Sequence, residues 1–237
     1  DYYISMGEGA ELLADELKIS RAEQEEFSFS SHNKAVAARD AGKFDNEIIP
    51  ITLEDGTVID KDSGPRNPDK EKIKSLNPAF RADGTVTAAT SSPFSIGASA
   101  MLITSEKFAN EHGLKIRAFV EGRAVAGVNW KMFGSGPVPA TEKALEKAGL
   151  TMDDIDAVEL NEAFAAQALY CIKKSNWDIN KVNLNGGAVA LGHPLGISGT
   201  RIITTLLNVL EQQDKSMGLA TMCVGTGQGI TTIIKRG

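Results

Sequence analysis

Cysteine is nearly absent from this 237-residue chain: Cys171 and Cys223 are the only two. Two thiols cannot form a disulfide framework, so the fold has to be held by its core, and a reducing compartment is the simplest expectation. A single bond between the pair remains open at this stage. Long apolar runs are also missing. The stretch Ile202 to Leu210 is interrupted by Thr and Asn and falls well short of the roughly 18 residues that a membrane span requires. Nor is there an excess of positive charge. The 25 Lys and Arg stand against 31 Asp and Glu, for a net charge of −6, which argues against a nucleic-acid or anionic-membrane binder. No repeat of solenoid period and no low-complexity tract is visible. An initiator Met is lacking, and Asp1-Tyr2-Tyr3-Ile4-Ser5-Met6-Gly7 reads like the middle of a fold, so a fragment of a longer protein is expected.

What is present is a globular composition. Hydrophobic residues make up 42% of the chain, enough for a real core and too much for disorder. The length suits one large domain or two modest ones.

Residues 1 to about 80 read as a peripheral, loop-rich layer. A helix is expected over Glu8 to Leu17. Ser20 and Glu23 form a capping box for a second helix that ends near Gly42. Ile48 to Ile59 alternates into an Asp55-Gly56 turn, a hairpin signal, and Pro68 is expected to open a short helix running to about Leu76. Beyond residue 115 helix and strand alternate. Strands are expected at Ile116–Val120, Ala157–Leu160, Val182–Leu184, Gly218–Val224 and Ile230–Ile234. Helices are expected at Thr141–Lys147, Glu162–Lys174 and Thr200–Gln212. The series is βαβαβαββ, a layered α/β domain with helices covering parallel strands. In the last helix Ile202, Ile203, Leu206, Leu207 and Leu210 follow the spacing of one buried face.

Reactive groups in open α/β sheets collect where strands end and helices begin. At the first such junction Ala157-Val158-Glu159-Leu160 runs into Asn161-Glu162-Ala163-Phe164. Asn161 either caps the helix or reaches over the cleft, while Glu162 in the first turn suits the helix dipole. The second junction, Asn185 to Gly199, packs five glycines before a helix, which implies special backbone angles and a close approach of a ligand. There His193 is framed by Gly192 and Pro194, a rigid setting for an acid or base. His32 and His112 lie on polar helical faces and are expected in solvent. The third junction, Met222-Cys223-Val224-Gly225-Thr226-Gly227-Gln228-Gly229, fails as a dinucleotide fingerprint because Ile230 follows in place of Gly or Ala and no helix comes after it. What remains is a thiol at a strand end beside exposed backbone amides, either merely buried or a nucleophile or acid/base beside an oxyanion hole. Cys171, inside an apolar helix, is read as a core residue.

Taken in this order, Asn161-Glu162-Ala163-Phe164, Gly192-His193-Pro194 and Cys223-Val224-Gly225 strongly resemble the thiolase family, and most closely the degradative 3-ketoacyl-CoA thiolases of fatty-acid β-oxidation. Ser5-Met6-Gly7, Ser31-His32, Pro78-Ala79-Phe80, Gly84-Thr85-Val86-Thr87-Ala88 and Gly136-Pro137-Val138-Pro139-Ala140 resemble further family segments. The resemblance implies two similar βαβαβαββ domains with an inserted loop domain. Residues 1–94 would be the latter part of the loop domain, 95–115 the end of the N-terminal domain, and 116–237 the C-terminal domain. The front of the first domain, with the cysteine that becomes acylated, would be missing, and neither Cys171 nor Cys223 matches that cysteine.

By the same resemblance His193 would take the nucleophile's proton and donate to the thioester oxygen. Asn161 would hold a water as the other donor to that oxygen. Cys223 would be the second acid/base, the Gly225 N–H would bind the acyl-enzyme oxygen, and Ser92 would contact the pantetheine arm of CoA. Where the family usually has Asp, this chain has Ile96, which removes a hydrogen-bond acceptor near Ser92. Coenzyme A is implied as substrate, with no covalently bound cofactor and no metal. The implied partners are acyl-CoA, a complementary N-terminal half, a homodimer or tetramer, and a β-oxidation multienzyme partner. The cytoplasm is the simplest compartment, with mitochondria and peroxisomes left open. Two alternatives stand beside this reading: a non-catalytic CoA- or acyl-CoA-binding subunit, and a biosynthetic thiolase forming acetoacetyl-CoA. A ketoacyl synthase is disfavoured, because its pattern would place His or Asn where Cys223 stands.

Overall fold

The computed structural model describes residues 3–237; Asp1 and Tyr2 of the opening segment lie outside the described residues. Helix α1 (Met6–Leu17) opens on a capping box in which the Glu8 N–H donates to Ser5 Oγ at 3.2 Å and the Ser5 N–H donates to Glu8 Oε2 at 2.8 Å. Helix α2 (Arg21–Asp40) repeats the device with Ser20 and Glu23, as the sequence predicts. Strands β1 (Ile51–Thr52) and β2 (Val58–Ile59) form a small antiparallel hairpin around Gly56 at φ +85°. Helix α3 (Lys70–Lys74) begins two residues later than Pro68 suggests, because the Asp69 carboxylate accepts from the N–H groups of Glu71 and Lys72 and sets the cap.

Helix α4 (Glu106–Glu111) is followed by β3 (Ala118–Gly127), longer than expected because it pairs along its length with the last strand. Helix α5 (Pro137–Ala148) starts four residues before Thr141, with Pro137 in its first turn, and stops at Gly149 in the left-handed region at φ +67°. Then come β4 (Ala157–Leu160), α6 (Ala165–Lys174), α7 (Ala188–Leu191), α8 (Ser198–Gln212), β5 (Met217–Val224) and β6 (Gln228–Arg236).

The sheet order is β3-β6-β5-β4, with β4 and β5 parallel and the other neighbours antiparallel. Side chains alternate between its faces. Val158, Leu219, Cys223 and Ile233 join the core shared with α1, α5 and α6, whereas Ala157, Ala220 and Ile234 pack under Ile202, Leu206 and Leu210 of α8. The α8 face read from the sequence is therefore the buried one, with Ile203 only partly covered.

Two expectations fail. Val182–Leu184 is not a strand and contributes only a single parallel bridge from Val182 to Val158. Asn183 turns the chain at φ +48°, and its amide takes over the ladder: Oδ1 accepts from the Leu160 N–H and Nδ2 donates to the Leu160 carbonyl, both at 2.8 Å. Nor are residues 1 to about 80 peripheral throughout. Ala10, Leu13 and Ala14 of α1 are buried in the same cluster as Ala166 and Leu169 of α6. No described helix is long and apolar enough to cross a membrane.

Candidate active site

Parallel pairing of β4 with β5 sets Leu160 opposite Thr221, so Asn161 and Cys223 leave the carboxyl ends of adjoining strands. The Asn161 N–H donates to the Thr221 carbonyl at 3.0 Å, which fixes this approach. The chain from 161 to 164 is a non-helical connector, and α6 starts only at Ala165. Of the two readings left open for Asn161 the helix cap is thereby excluded, and Glu162 is not in a first turn, contrary to the sequence expectation. Phe164 instead bridges to Ser91, and the Ser92 N–H donates to the Ala163 carbonyl at 3.0 Å. Ser92 thus lies against the Asn161 connector, while Ile96 projects fully into solvent.

His193 follows Gly192, whose φ of +97° turns the loop, and precedes Pro194. Its Nδ1 lies 2.6 Å from Ser198 Oγ, and the buried Ser198 hydroxyl also donates to the Pro194 carbonyl at 2.9 Å. A hydroxyl has one proton, so once that proton is committed Ser198 can only accept from His193, which places the ring proton on Nδ1. The Nε2 lone pair then faces Asn161 Nδ2 at 3.3 Å. Burial, with the nearby Arg201 charge, holds the His193 pKa below the usual imidazole value, so the ring is neutral, with Nε2 the acceptor that faces Asn161. Asn161 is fully buried, and its Oδ1 has no partner among the described residues. A buried acceptor left unpaired costs about 1–3 kcal/mol, which makes this atom a natural place for an added donor. Ser198 was invisible to sequence reasoning, although a serine entering the helix just after Gly-His-Pro was a usable signal.

Cys223 is buried at the end of β5, and desolvation pushes its thiol up to about 12. Such a thiol stays protonated near neutrality and is better suited to giving a proton than to resting as a thiolate nucleophile. The turn after it is open: Gly225 is exposed, and a Cβ built there meets only Met6 Sδ, at 4.0 Å. Cys171 is buried, its Sγ against the Gly134 carbonyl, with burial raising its pKa, as expected of a core residue. Both cysteines are free, so no bond joins them.

His32 corrects another expectation. It is buried in α2, not solvated, and desolvation lowers its pKa to about 4. The polarity of α2 was misread as exposure, since Gln24, Ser28 and Ser31 are buried on the same helix. His112 is exposed, as read, with its ring stacked on Phe108.

One layered α/β fold thus carries a histidine paired with a buried amide at the end of β4 and a buried thiol at the end of the adjoining β5. Family models for the thiolase N-terminal domain and the thiolase C-terminal domain match residues 2–107 and 114–236. The chain belongs to the thiolase family. It is 54% identical to a 3-ketoacyl-CoA thiolase of Vibrio parahaemolyticus, covering 98% of this chain and 61% of that protein. It is 51% identical to a 3-ketoacyl-CoA thiolase of a Psychrobacter species, with the same coverage. Among solved structures, Bacillus anthracis acetyl-CoA acetyltransferase superposes with a TM-score of 0.97 at 42% identity, over 99% of this chain and 61% of that one. Human mitochondrial 3-ketoacyl-CoA thiolase in complex with CoA superposes with a TM-score of 0.96 at 41% identity, over 99% and 59%. The chain thus spans about three fifths of the length of these relatives.

Proposed function

We propose that this chain supplies the histidine and the second acid/base of a 3-ketoacyl-CoA thiolase acting in fatty-acid β-oxidation. In the reaction a cysteine thiolate adds to the 3-keto carbon and the C2–C3 bond breaks, with its electron pair left on the acetyl-CoA fragment. That carbanion takes a proton to give acetyl-CoA, and CoA then takes the acyl group from the enzyme. Neither Cys171 nor Cys223 matches the acylated position of the family, so the nucleophile lies outside this chain in our reading.

His193 Nε2 accepts the nucleophile's proton, and the resulting imidazolium donates to the thioester oxygen. Asn161 Oδ1 holds a water that serves as the second donor. The Cys223 thiol, protonated at rest, gives its proton to the departing carbanion and in the reverse direction removes an α-proton. Gly225 offers its N–H to the acyl-enzyme oxygen, and Ser92 lies where the pantetheine arm of CoA passes. The physical need is plain: an α-carbon acid is weak, so a placed base and charge stabilisation on the enolate oxygen are both required. The observation that carries the reading is the 3.3 Å approach of Asn161 Nδ2 to His193 Nε2 at the end of β4.

We assign residues 1–94 to the loop domain, 95–115 to the end of the N-terminal domain and 116–237 to the C-terminal domain. A reducing compartment, the cytoplasm in the simplest case, suits two free cysteines. CoA and acyl-CoA are the expected ligands, in a homodimer or tetramer that is open to a multienzyme partner.

The test is complementation. Pure 237-residue protein should show no thiolysis of acetoacetyl-CoA. Co-expression with the portion of the Vibrio parahaemolyticus relative that this chain does not cover should give turnover. Turnover by the chain alone, abolished by Cys223→Ala, would overturn the role given to Cys223. No turnover after complementation, with CoA binding retained, would favour a non-catalytic CoA-binding subunit.

A second expectation concerns assembly. Phe94, Ile96, Leu102 and Ile103 are exposed, as are Val120 and Val125 on β3, which pairs only with β6 among the described residues. Bare apolar segments beside a free strand edge drive association. The chain should self-associate or pair with the complementary half. A stable monomer by light scattering at micromolar concentration, with no partner bound, contradicts this.

A further inference from the structure

Glu162 is 1% exposed, yet it is a carboxylate in the middle of the fold. Three donors from three separate segments converge on it. Ser31 Oγ of α2 donates to Oε2 at 2.7 Å, the Val189 N–H of α7 donates to Oε2 at 3.1 Å, and Asn183 Nδ2 donates to Oε1 at 2.7 Å. Ser31 in turn accepts from the Gly187 N–H at 3.0 Å. Gly187 approaches so closely that a Cβ there would lie 2.2 Å from the Glu162 carboxyl carbon. The nearby Lys34 amine donates to the Val182 carbonyl at 3.1 Å. Burial raises the Glu162 pKa while these donors and Lys34 oppose the rise.

This network has a position as well as a strength. Glu162 is covalently next to Asn161, and the segment it grips, Gly187 to Val189, leads within four residues to His193. We propose that Glu162 is a positioning residue that fixes the loop bearing His193 at its working distance from Asn161. This rests on the functional reading above for its consequence in catalysis, but not for its geometry. The argument is one of alternatives. Val189 to Leu191 belong to the single turn of α7, Gly192 at φ +97° follows, and no strand pairing ties this segment to the sheet. Ser198 holds the His193 ring from the far side, and the buried carboxylate, with Ser31, ties the first turn of α7 to both α2 and the end of β4. Removing one partner of such a cluster leaves buried donors unpaired, which is costly.

Glu162→Gln is the discriminating variant because it keeps shape and volume. An amide carries one acceptor and one donor. With its nitrogen on the Oε1 side it meets Asn183 Nδ2, which is held by the two bonds from Asn183 to Leu160. With its nitrogen on the Oε2 side it meets the Val189 N–H. Either way one donor faces another. In the 237-residue chain, amide exchange at Gly187 and Val189 should quicken by at least about tenfold, the equivalent of one charge-assisted hydrogen bond. Exchange at Leu219 and Ile233 should stay at the wild-type rate. The ¹⁵N signals of the His193 ring should move, while those of exposed His112 should not. In the complemented enzyme kcat should fall at least tenfold with KM within about threefold, as expected when a group acting in the transition state is displaced.

Unchanged exchange at Val189 together with unmoved His193 signals overturns the proposal. So does wild-type kcat in the variant when the wild-type assembly turns over. If the wild-type assembly itself is silent, the thiolase reading fails, and the exchange and His193 signals still decide the role of Glu162. Should Glu162→Gln fail to fold, Ser31→Ala removes a single bond of the network. It is expected to speed exchange at Gly187 and shift His193 in the same direction, and the absence of both effects overturns the proposal.

Discussion

His193→Ala in the complemented enzyme is expected to lower turnover by about 10⁴-fold or more, because two separate contributions vanish. Loss of a placed general base removes a factor of about 10²–10⁴, and loss of an oxyanion donor removes a further 10²–10³. Ser198 makes the assignment sharp. It commits its proton to Pro194 and so leaves the His193 proton on Nδ1 and the lone pair on Nε2. His193→Asn can restore a donor near the thioester oxygen but not a base, so it should recover part of the second factor and none of the first. Rapid-quench measurement of acylation separates the steps. Cys223→Ser should still acylate and then fail at the carbon–carbon bond. Acylation of His193→Ala at the normal rate would mean that the histidine is only a rigid part of its glycine-rich loop.

Gly186→Ala should be a strongly damaging small substitution outside the reacting groups. Gly186 sits at φ +81°, and an added Cβ would fall 2.6 Å from the Ser31 carbonyl oxygen and 2.8 Å from the Ala35 nitrogen, both backbone atoms of α2. Left-handed strain costs about 1–3 kcal/mol and a backbone clash in a packed region about as much again, so a loss of about 2–6 kcal/mol is expected from the denaturant midpoint. Gly196→Ala is the internal control. Nothing lies within 4 Å of its added Cβ, and its stability should stay within about 0.5 kcal/mol of wild type. Equal midpoints for the two variants would show that the loop is not clamped against α2.

The sequence made some of this legible and hid the rest for physical reasons. The Ser20–Glu23 capping box and the buried face of α8 depend on local spacing, and local spacing survives folding. Of the five glycines between Asn185 and Gly199, two, Gly186 and Gly192, have the positive φ that their density suggests. The roles of Asn183, Ser198 and Glu162 are not legible in the sequence, where Glu162 reads only as a helix-dipole residue, because their partners lie at distances that no periodicity encodes; the Ser31–Glu162 bond joins residues 131 positions apart. The lost strand at Val182 shares this origin, since a side-chain amide performs the pairing that backbone propensity would assign to a ladder. His32 departs from the expectation because polarity implies exposure only on average, and on α2 the polar residues Gln24, Ser28 and Ser31 beside it are buried as well.

That helix has a consequence for how the molecule is assembled. An oily stripe grips whatever oily surface it meets and slides with little penalty. Along α2, by contrast, Gln24 reaches Thr85 at 2.9 Å, Ser28 donates to the Ala89 carbonyl at 2.5 Å and Ser31 meets Glu162 at 2.7 Å. Each address is different, so a shift of one turn mismatches all three at once, at about 1–3 kcal/mol apiece. The helix behaves like a cut key with a single seat. Because its last notch is the carboxylate under the His193 loop, α2 seats correctly and the loop is aligned, or neither happens.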